Sequence, residues 1–179
     1  MGTMIKKHFY SWQNIADAAN SITASMLIDE WKPDYIVGLT RGGLPLAVML
    51  SNKLDIPMKT LNVSFRDGGN AESNKEMAQD AFGIFQQGFG HEGKNILIVD
   101  DINDTGATFQ WIKDDWEKLH DDKNGVMGDS KSWNTVWGQN VRFAVITENL
   151  SSEFSLVDYS THEVNKAEED VWLVYPWEL

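Results

Sequence analysis

The chain has 179 residues and a formal net charge of −12. This suits one domain with a sizeable core and argues against a nucleic-acid partner, because an acidic surface repels a phosphate backbone. Its composition, 42% hydrophobic and 23% charged, is ordinary for a soluble globular protein, and no apolar run reaches the roughly 18 residues that a membrane span needs. The lack of cysteine excludes a disulfide framework and a thiolate metal site, and it is consistent with a reducing cytoplasm.

The first third of the chain alternates predicted helices and strands. Apolar residues recur at helical spacing over residues 11–30, with Ser11 as N-cap, which predicts an amphipathic helix. The apolar run Tyr35–Leu39 is typical of a buried strand, and Pro45 suits the first turn of a helix that continues to Leu54. The weak alternation of Met58–Phe65 predicts a second strand.

The alternation continues through the rest of the chain, with two irregular stretches. Residues 66–93 are polar and glycine-rich before they turn apolar, which predicts a long mobile excursion, either an active-site lid or a solvated hairpin without a role. Ile96–Val99 is a strong signal for a buried strand, and apolar residues at helical spacing follow it. Residues 121–140 are turn-rich and are interpreted as an insertion, after which Val141–Ile146 predicts another strand.

These elements together predict an α/β fold in a single domain over residues 1–179. Strand–helix–strand alternation from residue 11 to residue 147 implies right-handed crossover connections. The expected architecture is an open, mainly parallel sheet of about five strands with helices on both faces.

The strongest functional signal follows the strand Ile96–Val99, where two carboxylates, Asp100 and Asp101, precede a short loop and a helix. The loop residues are Asp104, Thr105, Gly106, Ala107 and Thr108. A parallel strand brings such a loop to the ligand crevice, where the first amides of the helix can hydrogen-bond a phosphate. Carboxylates beside a phosphate can accept bonds from ribose hydroxyls or ligate Mg²⁺ shared with the substrate. The alternative is that the aspartates only cap the helix.

A second loop follows the strand Tyr35–Leu39 and consists of Thr40, Arg41, Gly42 and Gly43. Its backbone amides and guanidinium group suit a pyrophosphate. An Arg-Gly-Gly segment alone is also an ordinary turn. Its place in the first strand-to-helix turn, upstream of the acidic loop, favours the pyrophosphate interpretation.

The segment Val99–Thr108 resembles the signature with which type I phosphoribosyltransferases bind 5-phosphoribosyl-1-pyrophosphate (PRPP): a hydrophobic strand, an acidic pair and Asp-Thr-Gly-x-Thr. The resemblance covers about residues 30–178. It implies that Asp104–Thr108 hold the 5′-phosphate, that Asp100 and Asp101 serve the ribose and Mg²⁺, and that the loop at Thr40–Gly43 holds the pyrophosphate. It further implies a cis peptide bond between the first two residues of that loop.

The C-terminal run Trp172–Trp177 resembles the tail that caps the base pocket of bacterial xanthine-guanine phosphoribosyltransferases. The resemblance implies a small hood, here formed by residues 148–179 and the N-terminus, in which Trp172 stacks on the nucleobase and the backbone of Leu173 contacts its edge. The alternative is that Trp172, one of eight tryptophans, is a core residue that anchors the terminus.

The sequence departs from the purine enzymes after the strand Val141–Ile146, where they carry a lysine that contacts the 6-oxo group. Here Thr147-Glu-Asn-Leu150 follows, without a lysine. Asn149 can donate or accept a hydrogen bond and is therefore a candidate contact to the base. This departure permits a base with an exocyclic amine, or a base with a different scaffold altogether.

Two cations of the excursion, Arg66 and Lys75, are candidates to close over the pyrophosphate, since Val63–Asp67 lies where the family has its flexible catalytic loop. Each is equally compatible with an exposed surface charge. The four histidines show no ligand spacing, and we assign them no chemistry.

The resemblance implies a Mg²⁺-dependent enzyme that transfers the phosphoribosyl group of PRPP to a nucleobase and releases pyrophosphate, with Asp104 as the candidate general base. The tail favours a purine. Two alternatives stay open: a regulator of the same fold that binds PRPP or nucleotides without catalysis, and a pyrimidine or orotate transferase. Family members are commonly dimers or tetramers, which implies a homo-oligomer with PRPP and a nucleobase as ligands and without nucleic acid or membrane partners.

Overall fold

The computed structural model describes residues 5–65, 69–86, 89–121 and 132–179, and it has the predicted α/β fold. Its strands in chain order are β1 (Lys6–Phe9), β2 (Tyr35–Leu39), β3 (Met58–Leu61), β4 (Val63–Ser64), β5 (Asn70–Ala71), β6 (Gly83–Gln86), β7 (Phe89–Glu92), β8 (Ile96–Asn103), β9 (Val141–Asn149), β10 (His162–Val164) and β11 (Val171–Val174). The helices are α1 (Trp12–Ile28), α2 (Leu44–Leu54), α3 (Lys75–Phe82) and α4 (Ala107–Asp121), with short 3-10 turns at Trp133–Thr135 and Pro176–Glu178.

The predicted parallel sheet is confirmed, with five strands in the order β10–β9–β8–β2–β3. Every pairing within it is parallel. All five residues of β2 are buried, as expected for a central parallel strand covered on both faces. Strands β8 and β9 are longer than their apolar runs, because each continues into the polar residues that follow, to Asn103 and Asn149.

The helices cover both faces of the sheet, as predicted. Alternate residues of β8 separate two buried clusters, since Leu97 and Val99 pack with α1 and α2 whereas Ile96 and Ile98 pack with α3 and α4. Helix α1 begins at the predicted N-cap Ser11, whose hydroxyl accepts a hydrogen bond from the backbone of Asn14. No helix among the described residues is long and apolar enough to cross a membrane.

The two ends of the described chain meet in a separate two-stranded parallel sheet, in which β1 pairs with β11. Lys6 lies opposite Val171 and Phe9 opposite Val174. The backbone N–H of Tyr10 extends this pairing by donating to the carbonyl oxygen of Val174. From here on, we use the name hood for β1, β11 and the residues after β11, which is a smaller set than the predicted residues 148–179 with the N-terminus.

The excursion at 66–93 contains α3, which the sequence analysis did not predict. Met77, Ala78 and Ala81 are buried on one side of this helix, and Asn74 caps its first turn by accepting from the backbone N–H of Met77. Its apolar residues are too few and too interrupted by polar ones for periodicity to reveal it. The segment therefore carries a packed helix, with hairpins β4–β5 before it and β6–β7 after it.

Residues 132–140 are the described part of the predicted insertion, and they pack onto the core. The rings of Trp133 and Trp137 stack with centroids 5.3 Å apart, and Trp133 also contacts Phe82 at 5.1 Å. The indole N–H of Trp137 donates to Glu117 at 2.8 Å. The two tryptophans thus form a local cluster against α3 and α4.

The stability of the fold is expected to fall in mild acid because of His162 in β10. Burial, with a smaller effect of His8, lowers the pKa of His162 below its usual 6.5. Below pH 6.5 the unfolded chain thus binds a proton that the folded chain does not, so the free energy of unfolding decreases as the pH falls through that range. His162→Asn retains an N–H donor and removes the titration. Its melting temperature should fall less than that of the wild type between about pH 7 and about pH 5, and equal slopes would contradict the assignment.

Candidate active site

Most of the residues predicted to bind PRPP line one open cavity at the carboxyl end of the sheet, whereas Gly43 does not. Three segments enclose it: 40–42 after β2, 63–65 at β4, and 100–109 from the end of β8 into α4. The carboxyl ends of parallel strands are where open α/β sheets bind their ligands. Because the order β8–β2–β3 places these strand ends side by side, loops that are distant in sequence meet there.

The loop 104–108 leads into α4, which begins at Ala107, and its residues line the cavity. The Ala107 N–H donates to the Thr105 hydroxyl at 3.3 Å, and the first amides of a helix have no partner within the helix itself. Gly106 has a φ of +91°, which side chains rarely adopt. A Cβ at this position would lie 2.6 Å from the backbone nitrogen of Phe154. The phosphate-loop candidate is therefore packed directly against residues 152–154 and needs glycine for both backbone angle and space.

The acidic pair lies within β8, whereas the sequence analysis ended this strand at Val99 and placed the pair after it. The strand extends through Asp100 and Asp101 to Asn103, pairing with β9 up to Glu148. Asp101 is 6% exposed, and its backbone N–H donates to the carboxylate of Asp100 at 2.9 Å. Strand pairing thus fixes the backbone of Asp100 and of Ile102, on either side of Asp101, at the cavity.

The glycines of the loop 40–43 allow it to lie against β8. A Cβ on Gly42 would come within 2.3 Å of the Asp101 carboxylate, and one on Gly43 would come within 2.2 Å of the carbonyl oxygen of Val99. The peptide bond between Thr40 and Arg41 is cis, as the resemblance implied. The backbone of Gly42 and Gly43 thus lies directly against Asp101, Val99 and Asp100, where a side chain on either glycine would not fit.

Asp104 is held by two other segments of the chain. The ammonium group of Lys166 lies 2.8 Å from its carboxylate, and both side chains are partly buried, at 25% and 33% exposed. Asn149 donates its amide to the carbonyl oxygen of Asp104 at 3.0 Å and to the carboxylate at 3.3 Å. The backbone N–H of Lys166 donates to the Asn149 side chain at 3.0 Å, which closes a three-residue network.

Lys166 was missed by the sequence analysis, which looked for a lysine after β9 and found none. It lies in the connection after β10 and reaches Asp104 only because β10 pairs in parallel with β9, with Val164 opposite Asn149. No spacing in the sequence signals this contact. The structure accordingly places an ammonium group beside the candidate general base from a different element.

Asn149 and Glu148 occupy the end of β9, where the sequence analysis sought contacts to the base. Asn149 is buried, and its amide is already engaged by Asp104, Lys166 and Ser151. Burial raises the pKa of Glu148, while a hydrogen bond from Ser160 lowers it and the charge of Glu163 raises it further. A contact of Asn149 to the base stays a prediction, and the structure shows that this side chain orients Asp104.

The hood residues differ sharply in exposure. Trp172 is 60% exposed, which contradicts the interpretation of this residue as part of the core. Leu173 is buried, and Trp177 is half-buried with its ring stacked 5.0 Å from that of Tyr175. The stacking of Trp172 on a nucleobase stays a prediction, and the exposed indole has the free surface that such stacking requires.

The structure describes only one of the two candidate cations of the excursion. Lys75 is the first residue of α3 and is exposed. Arg66 lies outside the described residues. Ser64 and Phe65, just before it, line the cavity. The approach of either cation to a pyrophosphate stays a prediction.

Asp100 and Asp101 fit a Mg²⁺ ion. Both carboxylates line the cavity beside the Thr40–Gly42 loop and the candidate phosphate loop. Mg²⁺ prefers oxygen ligands, keeps several waters, and is usually held by one or two carboxylates together with substrate phosphates. When bound there, the ion would neutralise charge on the phosphate oxygens.

Comparison with known proteins agrees with this geometry. Residues 3–114 match the family model for the phosphoribosyl transferase domain. Xanthine phosphoribosyltransferase 1 of Saccharomyces cerevisiae is 23% identical over 194 residues, covering 97% of this chain and 90% of the yeast protein. Xanthine-guanine phosphoribosyltransferase of Desulfotalea psychrophila is 25% identical over 169 residues, covering 94% and 84%. The crystal structure of a purine phosphoribosyltransferase from Pyrococcus horikoshii Ot3 has a TM-score of 0.62 and 25% identity, covering 98% of this chain and 95% of that chain. Because the family model matches more than half of this chain, the chain belongs to the phosphoribosyl transferase domain family.

Proposed function

We propose that this protein catalyses the Mg²⁺-dependent transfer of the 5-phosphoribosyl group from PRPP to an oxopurine, with release of pyrophosphate. The observation that carries the proposal is the pairing of Asp104 with Lys166 at 2.8 Å, at the edge of a cavity that also holds the phosphate loop and the acidic pair. Family membership supports phosphoribosyl chemistry, and the names of the two curated relatives support a purine.

The cavity suits PRPP because it offers separate positions for its two phosphate groups. The amides at the start of α4 and the Thr105 and Thr108 hydroxyls suit the 5′-phosphate. Arg41 and the Gly42 backbone suit the pyrophosphate on the other side of Asp100 and Asp101. These local donors are needed because the chain as a whole carries a formal charge of −12 and repels anions.

The reaction breaks the bond between ribose C1 and the pyrophosphate oxygen and forms a bond from C1 to a ring nitrogen of the base. The electron pair of the broken bond leaves with pyrophosphate, and Arg41 stabilises that charge. The carboxylates of Asp100 and Asp101 stabilise the positive charge that develops on the ribose. The base loses an N–H proton, which the Asp104 carboxylate accepts.

The preference for an oxopurine over adenine follows from the two groups that we place at the base position, and the choice of a purine rests on the relatives. The Asp104 carboxylate accepts hydrogen bonds, whereas the Lys166 ammonium group only donates them. A base that hydrogen-bonds both groups needs an N–H close to a carbonyl oxygen. Oxopurines have this arrangement, with the carbonyl on the six-membered ring and the N–H on the adjoining five-membered ring. An exocyclic amine beside Lys166 would leave its own hydrogen bonds unmade, which disfavours adenine.

The direct test is pyrophosphate release from PRPP and Mg²⁺ with xanthine, guanine, hypoxanthine, adenine, uracil or orotate as acceptor. We expect turnover with at least one oxopurine and none with adenine. Turnover only with uracil or orotate would favour the pyrimidine alternative. Saturable PRPP binding without turnover on any base would favour a non-catalytic regulator, and no PRPP binding would overturn the proposal. The predicted homo-oligomer is tested separately by the mass of the protein in solution.

Lys166→Gln is expected to raise the KM for the oxopurine about tenfold or more, because the variant loses a charge-assisted hydrogen bond to the carbonyl oxygen. The KM for PRPP should change little, since Lys166 does not line the cavity that holds the phosphate loop. The matched control is Lys6→Gln, which breaks the exposed hood ion pair with Glu169 at 2.9 Å. Steady-state kinetics with each substrate varied would show equal effects of the two variants if Lys166 had no role in base selection.

A further inference from the structure

Tyr175 connects the hood to the acidic pair through a buried hydrogen bond. Its side chain is 1% exposed, and its hydroxyl lies 3.2 Å from the carbonyl oxygen of Asp101 and 3.0 Å from the Thr147 hydroxyl in β9. Asp101 itself is 6% exposed and lines the cavity. Tyr175 of the hood therefore contacts the backbone of a residue that lines the candidate active-site cavity.

The contact is the end of a longer chain of polar groups. The Thr147 hydroxyl lies 2.6 Å from the hydroxyl of Tyr10, which in turn contacts Nδ1 of His162. The rings of Tyr10 and Tyr175 are stacked, with centroids 4.7 Å apart and planes within 5°. His162 and Tyr10 line a separate cavity of about 290 Å³ together with His8 and Asp17.

Counting protons fixes the direction of this chain. A carbonyl oxygen only accepts, and a tyrosine hydroxyl has one proton, so the Tyr175 proton must point to Asp101 for both of its contacts to be hydrogen bonds. Thr147 then donates to Tyr175, and Tyr10 donates to Thr147. His162 completes the chain by donating from Nδ1 to Tyr10. Every proton points towards the active site.

We propose that Tyr175 is a positioning residue of the phosphoribosyl transfer, which fixes the backbone of Asp101 and through it the carboxylate that faces the ribose and Mg²⁺. Thr147 orients the Tyr175 hydroxyl, because a threonine without a second acceptor has one direction for its proton. Hydroxyls buried to this degree are costly to leave unpaired, so the chain is a rigid support. The proposal rests on the proposed function, since it concerns the ribose and metal side of that reaction.

The first experiment compares Tyr175→Phe with Tyr159→Phe. Each variant keeps the aromatic ring and removes the hydroxyl of a buried tyrosine. The Tyr159 hydroxyl is a suitable control because it also forms hydrogen bonds, donating to Asp29 at 2.9 Å and accepting from Arg142 at 2.5 Å. Tyr175→Phe should lower kcat/KM for PRPP about tenfold and raise the Mg²⁺ concentration for half-maximal rate, with the KM for the base unchanged. Tyr159→Phe should lower the melting temperature to a similar extent and leave all three kinetic constants unchanged.

The second experiment interrupts the hydrogen-bonded chain at Thr147, one residue further from Asp101 than Tyr175. Thr147→Val keeps the shape of the side chain and removes the hydroxyl, so it should reproduce the PRPP and Mg²⁺ defect of Tyr175→Phe. Thr147→Ser keeps the hydroxyl and should restore wild-type constants. Equal behaviour of the valine and serine variants, or a Tyr175→Phe defect no larger than that of Tyr159→Phe, would overturn the positioning role.

The two proposals fail in different ways. If the wild-type protein releases no pyrophosphate with any base, the proposed function fails first. The positioning role is then decided by the affinity for PRPP with Mg²⁺ in a binding assay, where Tyr175→Phe should bind about tenfold more weakly and Tyr159→Phe should not. If the wild type turns over and Tyr175→Phe matches it, only the positioning role fails.

Discussion

Asp104→Asn is expected to lower kcat about 100-fold or more while PRPP still binds, because an amide cannot take the proton that the base loses. The substitution keeps the size of the side chain and the bond that Asn149 makes to the backbone carbonyl. It removes the carboxylate that pairs with Lys166 at 2.8 Å. Single-turnover kinetics with PRPP bound in advance would place the defect in the chemical step.

The control for this variant is Asp170→Asn, which makes the same change in charge in the segment that also carries Lys166. Asp170 is exposed and does not line the cavity with the phosphate loop. Its substitution should leave kcat within the error of the measurement. If Asp104→Asn kept more than about a tenth of the wild-type kcat, Asp104 would only orient the base, and proton transfer would have to be assigned elsewhere.

Gly106→Ala is expected to lower the free energy of unfolding by about 2–4 kcal/mol and to weaken PRPP binding at least about tenfold. Two penalties combine here: a φ of +91°, and a Cβ only 2.6 Å from the backbone nitrogen and the Cβ of Phe154. Relief of the clash must move the loop that holds the 5′-phosphate, because the neighbour is backbone and not the end of a flexible side chain. Denaturant unfolding and PRPP titration measure the two effects.

Gly138→Ala separates the two penalties. Gly138 has a similar φ of +75°, but the nearest atom to its added Cβ is 3.8 Å away, on Asp158. Its substitution should cost only about 1 kcal/mol, from the backbone conformation, and should leave PRPP affinity unchanged. If both variants lost the same stability and Gly106→Ala still bound PRPP like the wild type, close packing of the phosphate loop would have no functional role.

The sequence was sufficient to predict the parts of the fold that depend on local patterns. The apolar run Tyr35–Leu39 became β2 with the same bounds, and Ser11 caps α1 as expected. The signature after Val99 predicted a cavity that the described residues do form. These predictions succeed because strand burial, helix capping and glycine-rich phosphate loops are each determined by residues close together in the chain.

The remaining features depend on contacts between distant segments, which periodicity does not encode. Helix α3 was missed because its buried residues are few, and the end of β8 was misplaced because carboxylates rarely continue a buried strand. Lys166 reaches Asp104, and Tyr175 reaches Asp101, across 62 and 74 positions of the chain. The pairing of β10 with β9 and of β11 with β1 places these two residues against Asp104 and Asp101.

The pairing of β1 with β11 also determines when, during synthesis of the chain, the hood can form and the candidate site can be completed. A chain grows from its N-terminus, and domains fold as their segments emerge from the ribosome. The strands from β2 to β9 can assemble early, but β1 must wait for residues 171–174, which are synthesised after every strand of the five-stranded sheet. A nascent chain can thus present its phosphate loop while the hood and the Tyr175 contact are still missing. A chain that ends before residue 171 should accordingly yield a folded sheet with an incomplete site.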